Sequence, residues 1–171
     1  MSLGFSIIFQ ALVLANHCDP QNLLICINVI RLFNNISGTF SHDAAKPEAN
    51  AITVEIDTTS VDSNHAERDK HLRSGDFLDV SVHPKAMFKS TKYTGSAEEG
   101  VLEGELTLYG ITKTIAINIK KIGEGKDPWG GYRAGFEGTY DLTRKDFGME
   151  YNLGPGAAVV KLELGIEGIR M

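Results

Sequence analysis

From about residue 36 to the end of the chain, apolar side chains recur at every second position, and this alternation constrains the fold more than any other feature. Successive side chains of a strand point to opposite faces, so the pattern describes strands with one dry and one wet face. Ile52, Val54 and Ile56 alternate with Thr53, Glu55 and Asp57, and Leu102, Leu106 and Leu108 alternate with Glu103, Glu105 and Thr107. The pattern returns at Ile115, Ile117 and Ile119, at Phe136, Tyr140 and Leu142, and most regularly at Val160, Leu162, Leu164 and Ile166. With Ile36–His42 and Ala86–Tyr93 these segments make seven strands, and the apolar run Leu23–Leu32 offers an eighth. The separators are short and turn-like: Lys46-Pro47, Thr94-Gly95-Ser96, Tyr109-Gly110, Gly123–Gly131 and Leu153–Gly156. Short connections favour antiparallel neighbours, and a single dry face excludes a sheet covered on both sides. The expected fold is therefore all-β, an antiparallel barrel of about eight strands, a size that can enclose one ligand.

One stretch reads as helix. Asp62–Ser74 contains no proline or glycine, is rich in helix formers, and is followed by Gly75 as a stop. It is almost entirely polar, so it cannot be a core element. It is expected to be a short polar helix capping one end of the barrel, with Leu72, Phe77 and Leu78 tucked inward.

A chain of 171 residues suits one domain. Its 17 basic and 22 acidic residues give a net charge of −5 and are spread along the chain, which argues against nucleic acid as a partner. No apolar stretch reaches the roughly 18–20 residues of a membrane-spanning helix. Cys18 and Cys26, eight apart, match neither a zinc spacing nor a disulfide framework; a bridge would need strands that bring them together. The N-terminal MSLGFSIIFQALVLANH lacks the basic residues that precede the apolar core of a secretory signal, and reads as a poor signal peptide or a buried segment.

Catalytic and metal-binding signals are weak. His65 and His71 fall about 240° apart on a helix and cannot share a ligand. Glu67 with His71, and Asp69 with Arg73, read instead as i to i+4 pairs on a wet face. No metal site and no nucleophilic grouping stands out. The glycine-rich GEGKDPWGGYRAG of Gly123–Gly135 lacks the ending of a phosphate-cradling loop and reads as a long hairpin connection. Within it, Trp129 is expected to pack over a barrel end and Arg133 to form surface ion pairs. The inward face mixes large with very small residues: Gly104 among leucines, Ser90 beside Phe88, Ala134 and Gly138 beside Phe136. Small residues can leave room for a ligand, or they can relieve curvature and mark bulges, and both readings stand at this point.

Four stretches carry a family resemblance: TTSVDSNHAERDKHLRSGDFLDV at Thr58–Val80, MFKST at Met87–Thr91, GELTLYGITK at Gly104–Lys113 and GEGKDPWGGYRAGFEG at Gly123–Gly138. Through them the chain resembles the YceI-like family, the polyisoprenoid-binding, lipocalin-like proteins of bacteria. The resemblance implies an eight-stranded lipocalin-like barrel whose tunnel binds a long isoprenoid, such as a polyprenyl lipid or a quinone, in the periplasm. It brings no catalytic residues and no cofactor besides the bound lipid. From the alternation, Phe77, Leu78, Phe88, Leu106, Ile117, Phe136 and Phe147 are expected to face the tunnel or its mouth. The resemblance covers residues 32–171. Residues 1–31 lack the family's usual opening, and form an atypical N-terminal segment that either supplies a first strand or leaves a gap whose unpaired edges invite a homodimer. The leading functional expectation is non-catalytic binding, transport or storage of an isoprenoid lipid. The alternatives are an enzyme acting on a hydrophobic substrate, with Asp76, Asp79 or His71 as acid-base groups at the rim, and a structural protein whose core is filled.

Overall fold

A computed structural model describes residues 3–18, 26–154 and 157–170, with side chains described from Phe33 onward, apart from the two residues of the omitted loop. Ten strands and one short helix follow in the order β1 (Leu3–Cys18), β2 (Cys26–Phe33), β3 (Ile36–His42), β4 (Ala51–Asp57), β5 (Val61–Asp62), α1 (Ala66–Leu72), β6 (Lys85–Gly95), β7 (Glu99–Leu108), β8 (Ile111–Lys126), β9 (Tyr132–Thr143) and β10 (Val159–Arg170). All pairings are antiparallel and form one sheet, whose first and last members also pair through β1 and β10.

Two of the strands are broken ones. Along β1, Ala11–Cys18 pair with β2 and Leu3–Ser6 pair with β3, so β2 and β3 act as one strand interrupted at Asn34-Asn35. Beside it, β4 pairs with β3 and the short β5 pairs with β2, with a 3₁₀ turn at Thr58–Ser60 marking the same interruption. The two breaks are stitched to each other: Asn34 N donates to Ser60 O (3.2 Å), Asn35 N to Ser60 Oγ (3.0 Å) and Asp57 N to Asn35 O (3.0 Å). Counted this way, the chain is an up-and-down barrel of eight staves, each paired with its sequence neighbours and the last with the first. Of the expected Leu23–Leu32 strand, the part from Cys26 onward extends the stave that includes β3, residues 23–25 lying outside the described residues, and the eighth stave is β1, a segment the alternation did not identify. Its long apolar run lacks the alternation that marks the other strands.

Turn chemistry follows the sequence closely at the β7–β8 hairpin. Leu108 lies opposite Ile111, leaving Tyr109 and Gly110 as a two-residue loop with φ of 52° and 73°. Positive φ at both central residues is the turn whose twist matches that of the strands it joins. Tyr109 Oη also donates to Gly75 O (2.8 Å), tying this hairpin to the segment after α1.

The helix is shorter than its polar pattern suggests. Val61-Asp62 join the sheet and Asn64 takes φ of 59°, so the helix starts only at Ala66. Ser63 Oγ and N donate to Asp69 Oδ1, and His65 Nδ1 accepts from Arg68 N, which caps one free amide of the first turn. This also overturns the expected i to i+4 pairs. Asp69 is occupied by Ser63, Arg73 donates to Thr59 O and Val61 O, and His71 pairs with Asp76 at 3.0 Å. Leu72 turns inward with Val61 and Phe77 as a small apolar cluster that covers one end of the barrel.

Candidate ligand cavity

The main core fills the barrel with inward residues from seven of its strands, among them Phe40, Val54, Phe88, Leu102, Ile117 and Leu142. Among the described residues two internal spaces stand out. One, of about 130 Å³, lies under α1 and is walled by Leu72, Phe77, Leu78, Leu106, Met149 and Leu162 among other apolar side chains, with Arg144 as the single polar wall residue among those described. The other, of about 60 Å³, lies toward the β8–β9 hairpin and is walled by Phe40, His42, Ile52, Tyr93, Leu102 and Phe136 among others.

The two spaces are separated at Gly104. Leu102, Gly104 and Leu106 are successive inward positions on β7; Leu102 borders the smaller space and Leu106 the larger. A Cβ at Gly104 would meet the Phe88 ring at 2.5 Å and Lys89 O at 2.6 Å, so the ring already occupies the room that the glycine offers. The register of β6 and β7 also shifts between Ser90 and Lys92, next to this contact. Gly138 is filled in the same way, its missing Cβ lying 2.8 Å from Ile119 Cδ1. Of the two readings of the small inward residues, these contacts favour close fit and curvature over open room.

The seven residues expected at the tunnel therefore divide. Phe77, Leu78 and Leu106 wall the larger space and Phe136 the smaller. Phe88 stands between the spaces, while Ile117 and Phe147, 4% and 1% exposed, are core residues that border neither. The rim groups proposed for acid-base chemistry lie outside both spaces. His71 and Asp76 meet at 3.0 Å on the surface, with the rings of Phe77 and Tyr151 each 4.9 Å from the imidazole. Asp79 is apart from them and accepts from Ser81 Oγ. Among the described residues no three His, Cys, Asp or Glu side chains gather to hold a metal ion.

Two buried polar residues were not singled out by the sequence. Arg144 follows β9 in a 3₁₀ turn, and its Nε donates to Ala157 O (2.6 Å) and its Nη1 to Tyr151 O (3.0 Å). Its guanidinium carbon lies 5.8 Å from the centre of the Phe77 ring. Burial pulls its pKa below the ordinary guanidinium range. No residue spacing marks it, because the loop carbonyls that hold it follow later in the chain. His42 is 4% exposed at the opposite end. Asn50 Nδ2 lies 3.4 Å from its Nδ1, and donation by that amide assigns the ring proton to Nε2. That Nε2 has no hydrogen-bond partner, the nearest carboxylate oxygen being that of Glu124 at 3.8 Å. Burial lowers the imidazole pKa from 6.5, outweighing the opposite pull of Glu124.

The hairpin expected to close this end projects from it instead. Asp127 holds the tip by accepting from Trp129 N, Gly131 N and Arg133 Nε, and Arg133 also pairs with Glu167 at 2.6 Å. Those bonds carry Trp129 outward, where it is 83% exposed with the Arg133 cation 5.7 Å from its ring. The Arg133 hydrogen bond, with the backbone amides beside it, keeps the Asp127 carboxyl below its usual pKa. The expected surface pairing of Arg133 is formed.

The YceI-like domain, as a family model, matches residues 21–167. The chain belongs to the YceI-like family. Within it, a UPF0312 protein of Pseudomonas aeruginosa is 54% identical over 138 residues, covering 81% of this chain and 72% of the relative. A UPF0312 protein of Shewanella baltica is 53% identical over 143 residues, covering 83% and 75%. Among solved structures, the YceI protein of Campylobacter jejuni superposes with a TM-score of 0.80 at 26% identity, over 91% of this chain and 94% of that one. A polyisoprenoid-binding domain from Saccharophagus degradans shares the fold, with a TM-score of 0.65 at 14% identity and 99% of both chains covered.

Proposed function

We propose that this YceI-like barrel binds one long isoprenoid or similar amphipathic lipid, a polyprenyl lipid or a quinone, without chemical conversion, and carries or stores it in the periplasm. The observation that carries the reading is the apolar space under α1, enclosed by side chains from the helix segment and from several strands. Membership in a family whose fold is shared by a domain described as polyisoprenoid-binding supports it. Burial of apolar surface would supply affinity at roughly 25 cal/mol per Å², reduced by the cost of ordering the chain.

The sizes of the spaces favour a second reading. Ligand pockets usually measure about 300–1,000 Å³, whereas the larger space here is about 130 Å³, the volume of only a few water molecules at about 30 Å³ each. With Gly104 and Gly138 already filled by neighbours, a structural barrel with a packed core is the competing function. The lipid reading requires Phe88 to swing aside and join the two spaces, and the α1 segment to yield at Phe77 and Leu78.

Native mass spectrometry and solvent extraction of the purified chain separate the readings. The lipid reading expects a co-purifying apolar molecule, or uptake of an added prenyl lipid, that Leu106→Trp abolishes while the protein stays folded. Protein that is empty on isolation and takes up no added lipid would establish the packed core. Fractionation of the expressing cell tests the compartment.

A further inference from the structure

We infer that Arg144 makes this barrel selective for amphiphiles whose polar end is anionic, a phosphate or a carboxylate, over neutral ones of the same chain length. The inference rests on the lipid-binding reading and adds the charge of the ligand to it.

Four observations converge on this residue. Arg144 is 7% exposed, so most of its side chain is withdrawn from bulk water. Among the described residues it is the one polar side chain in the wall of an otherwise apolar space. No carboxylate pairs with it among the described residues, in contrast to Arg133, which has both Asp127 and Glu167. Among the described residues its hydrogen bonds come from Nε and Nη1, and Nη2 has no partner there.

Buried cations are normally paired, because an uncompensated charge in a low-dielectric site is costly. Structural duty explains part of this arrangement, since the bonds to Ala157 O and Tyr151 O hold the loop before β10 against the end of β9. Neutral donors would serve the same two carbonyls, however, and would not place a permanent cation in an apolar wall. The two bonds and the Phe77 ring also fix the guanidinium plane, so its free N–H groups are oriented before any ligand arrives. A planar fork of donors suits the oxygens of a phosphate or carboxylate. An amphiphile lying with its chain among Leu106, Leu142 and Leu162 would bring its polar end to Arg144 and leave the charge compensated.

The test compares probes that share one chain: geranylgeranyl phosphate, geranylgeranoic acid and geranylgeraniol, titrated calorimetrically into the full-length protein, with inorganic phosphate as a fourth titrant. The expected result is binding of the phosphate or the acid about tenfold or more tighter than the alcohol, as charge-assisted hydrogen bonds allow, with inorganic phosphate alone too weak to detect. Preference for one anion over the other identifies the head group. Arg144→Gln should remove the discrimination, the phosphate and the acid losing more affinity than the alcohol, and Arg144→Lys should restore part of it. Equal binding of all three lipids by the native chain overturns the inference and leaves the lipid reading intact. Equal loss of all three in a folded Arg144→Gln protein also overturns it, by showing that the residue acts only on the loop. Failure of every lipid to bind overturns both. The native-chain comparison needs no variant, so a substitution that fails to fold does not block the decision.

Discussion

The two ends of the barrel handle buried polarity in opposite ways. Under α1 a permanent cation, Arg144, is pinned by backbone carbonyls into an apolar wall, where it cannot shed its charge. At the other end a titratable base, His42, is buried with its Nε2 unpartnered, and stays neutral by lowering its pKa. Near it Lys121, its side chain only 9% exposed, is paired with Glu98 and Glu124, each at 3.1 Å. The difference teaches that the α1 end holds a cation with no carboxylate partner among the described residues, whereas near the hairpin end the buried imidazole is neutral and the buried cation, Lys121, is paired. Between them the Phe88 ring over Gly104 keeps the two environments apart.

The largest effect that could break this contrast is in packing. Phe147, 1% exposed in the turn that begins with Arg144, should cost about 3–5 kcal/mol when replaced by alanine, read by urea denaturation. Phe136, partly buried beside His42, should cost distinctly less on the same change. Equal losses would mean that the two ends are packed alike. Next comes the partition: Gly104→Ala drives a methyl group into the Phe88 ring and a backbone carbonyl, for an expected loss of about 1–3 kcal/mol. A neutral outcome would show that the ring moves freely and that the two spaces already communicate.

A smaller effect sharpens the contrast through pH. His42 has a folded pKa below its unfolded value of 6.5, so the unfolded chain takes up the proton first and stability rises with pH. Its contribution is complete above about 6.5 and is lost as the pH falls toward the lower folded value. His42→Gln should therefore flatten the fall in Tm between pH 7 and pH 5, and an unchanged slope would contradict the assignment. The smallest effect is expected at Trp129. Its replacement by alanine should change stability by under about 0.5 kcal/mol, since the ring is exposed at a hairpin tip.

Most of the barrel was legible from β3 onward because alternation and turn chemistry act locally. Val160, Leu162, Leu164 and Ile166 announce an inner face by their spacing, and Tyr109-Gly110 announces a hairpin by its residue types. The eighth stave was hidden because β1 carries an apolar run without a polar face to mark its period. The site was less legible than the fold. Phe77, Leu78 and Leu106 could be found by hydrophobicity, but Arg144 owes its position to carbonyls of Tyr151 and Ala157, and His42 to an amide eight residues away. Trp129 was misread because its type suggested a cap, whereas the bonds of Asp127 decide where the tip points.

The pairing of β1 with β10 has a consequence for how the molecule comes into being. Phe5 stands opposite Arg170, so the seam joins segments from opposite ends of the chain, while every other stave pairs with a neighbour in sequence. Loop closure over such a distance is entropically unfavourable until the intervening sheet is formed. The meander from β3 to β9 can assemble from local hairpins, but the seam waits for β10. Until then an emerging chain holds two unpaired edges, the form of a β-sheet most exposed to joining a neighbour, and shielding them during synthesis is where this fold most needs help.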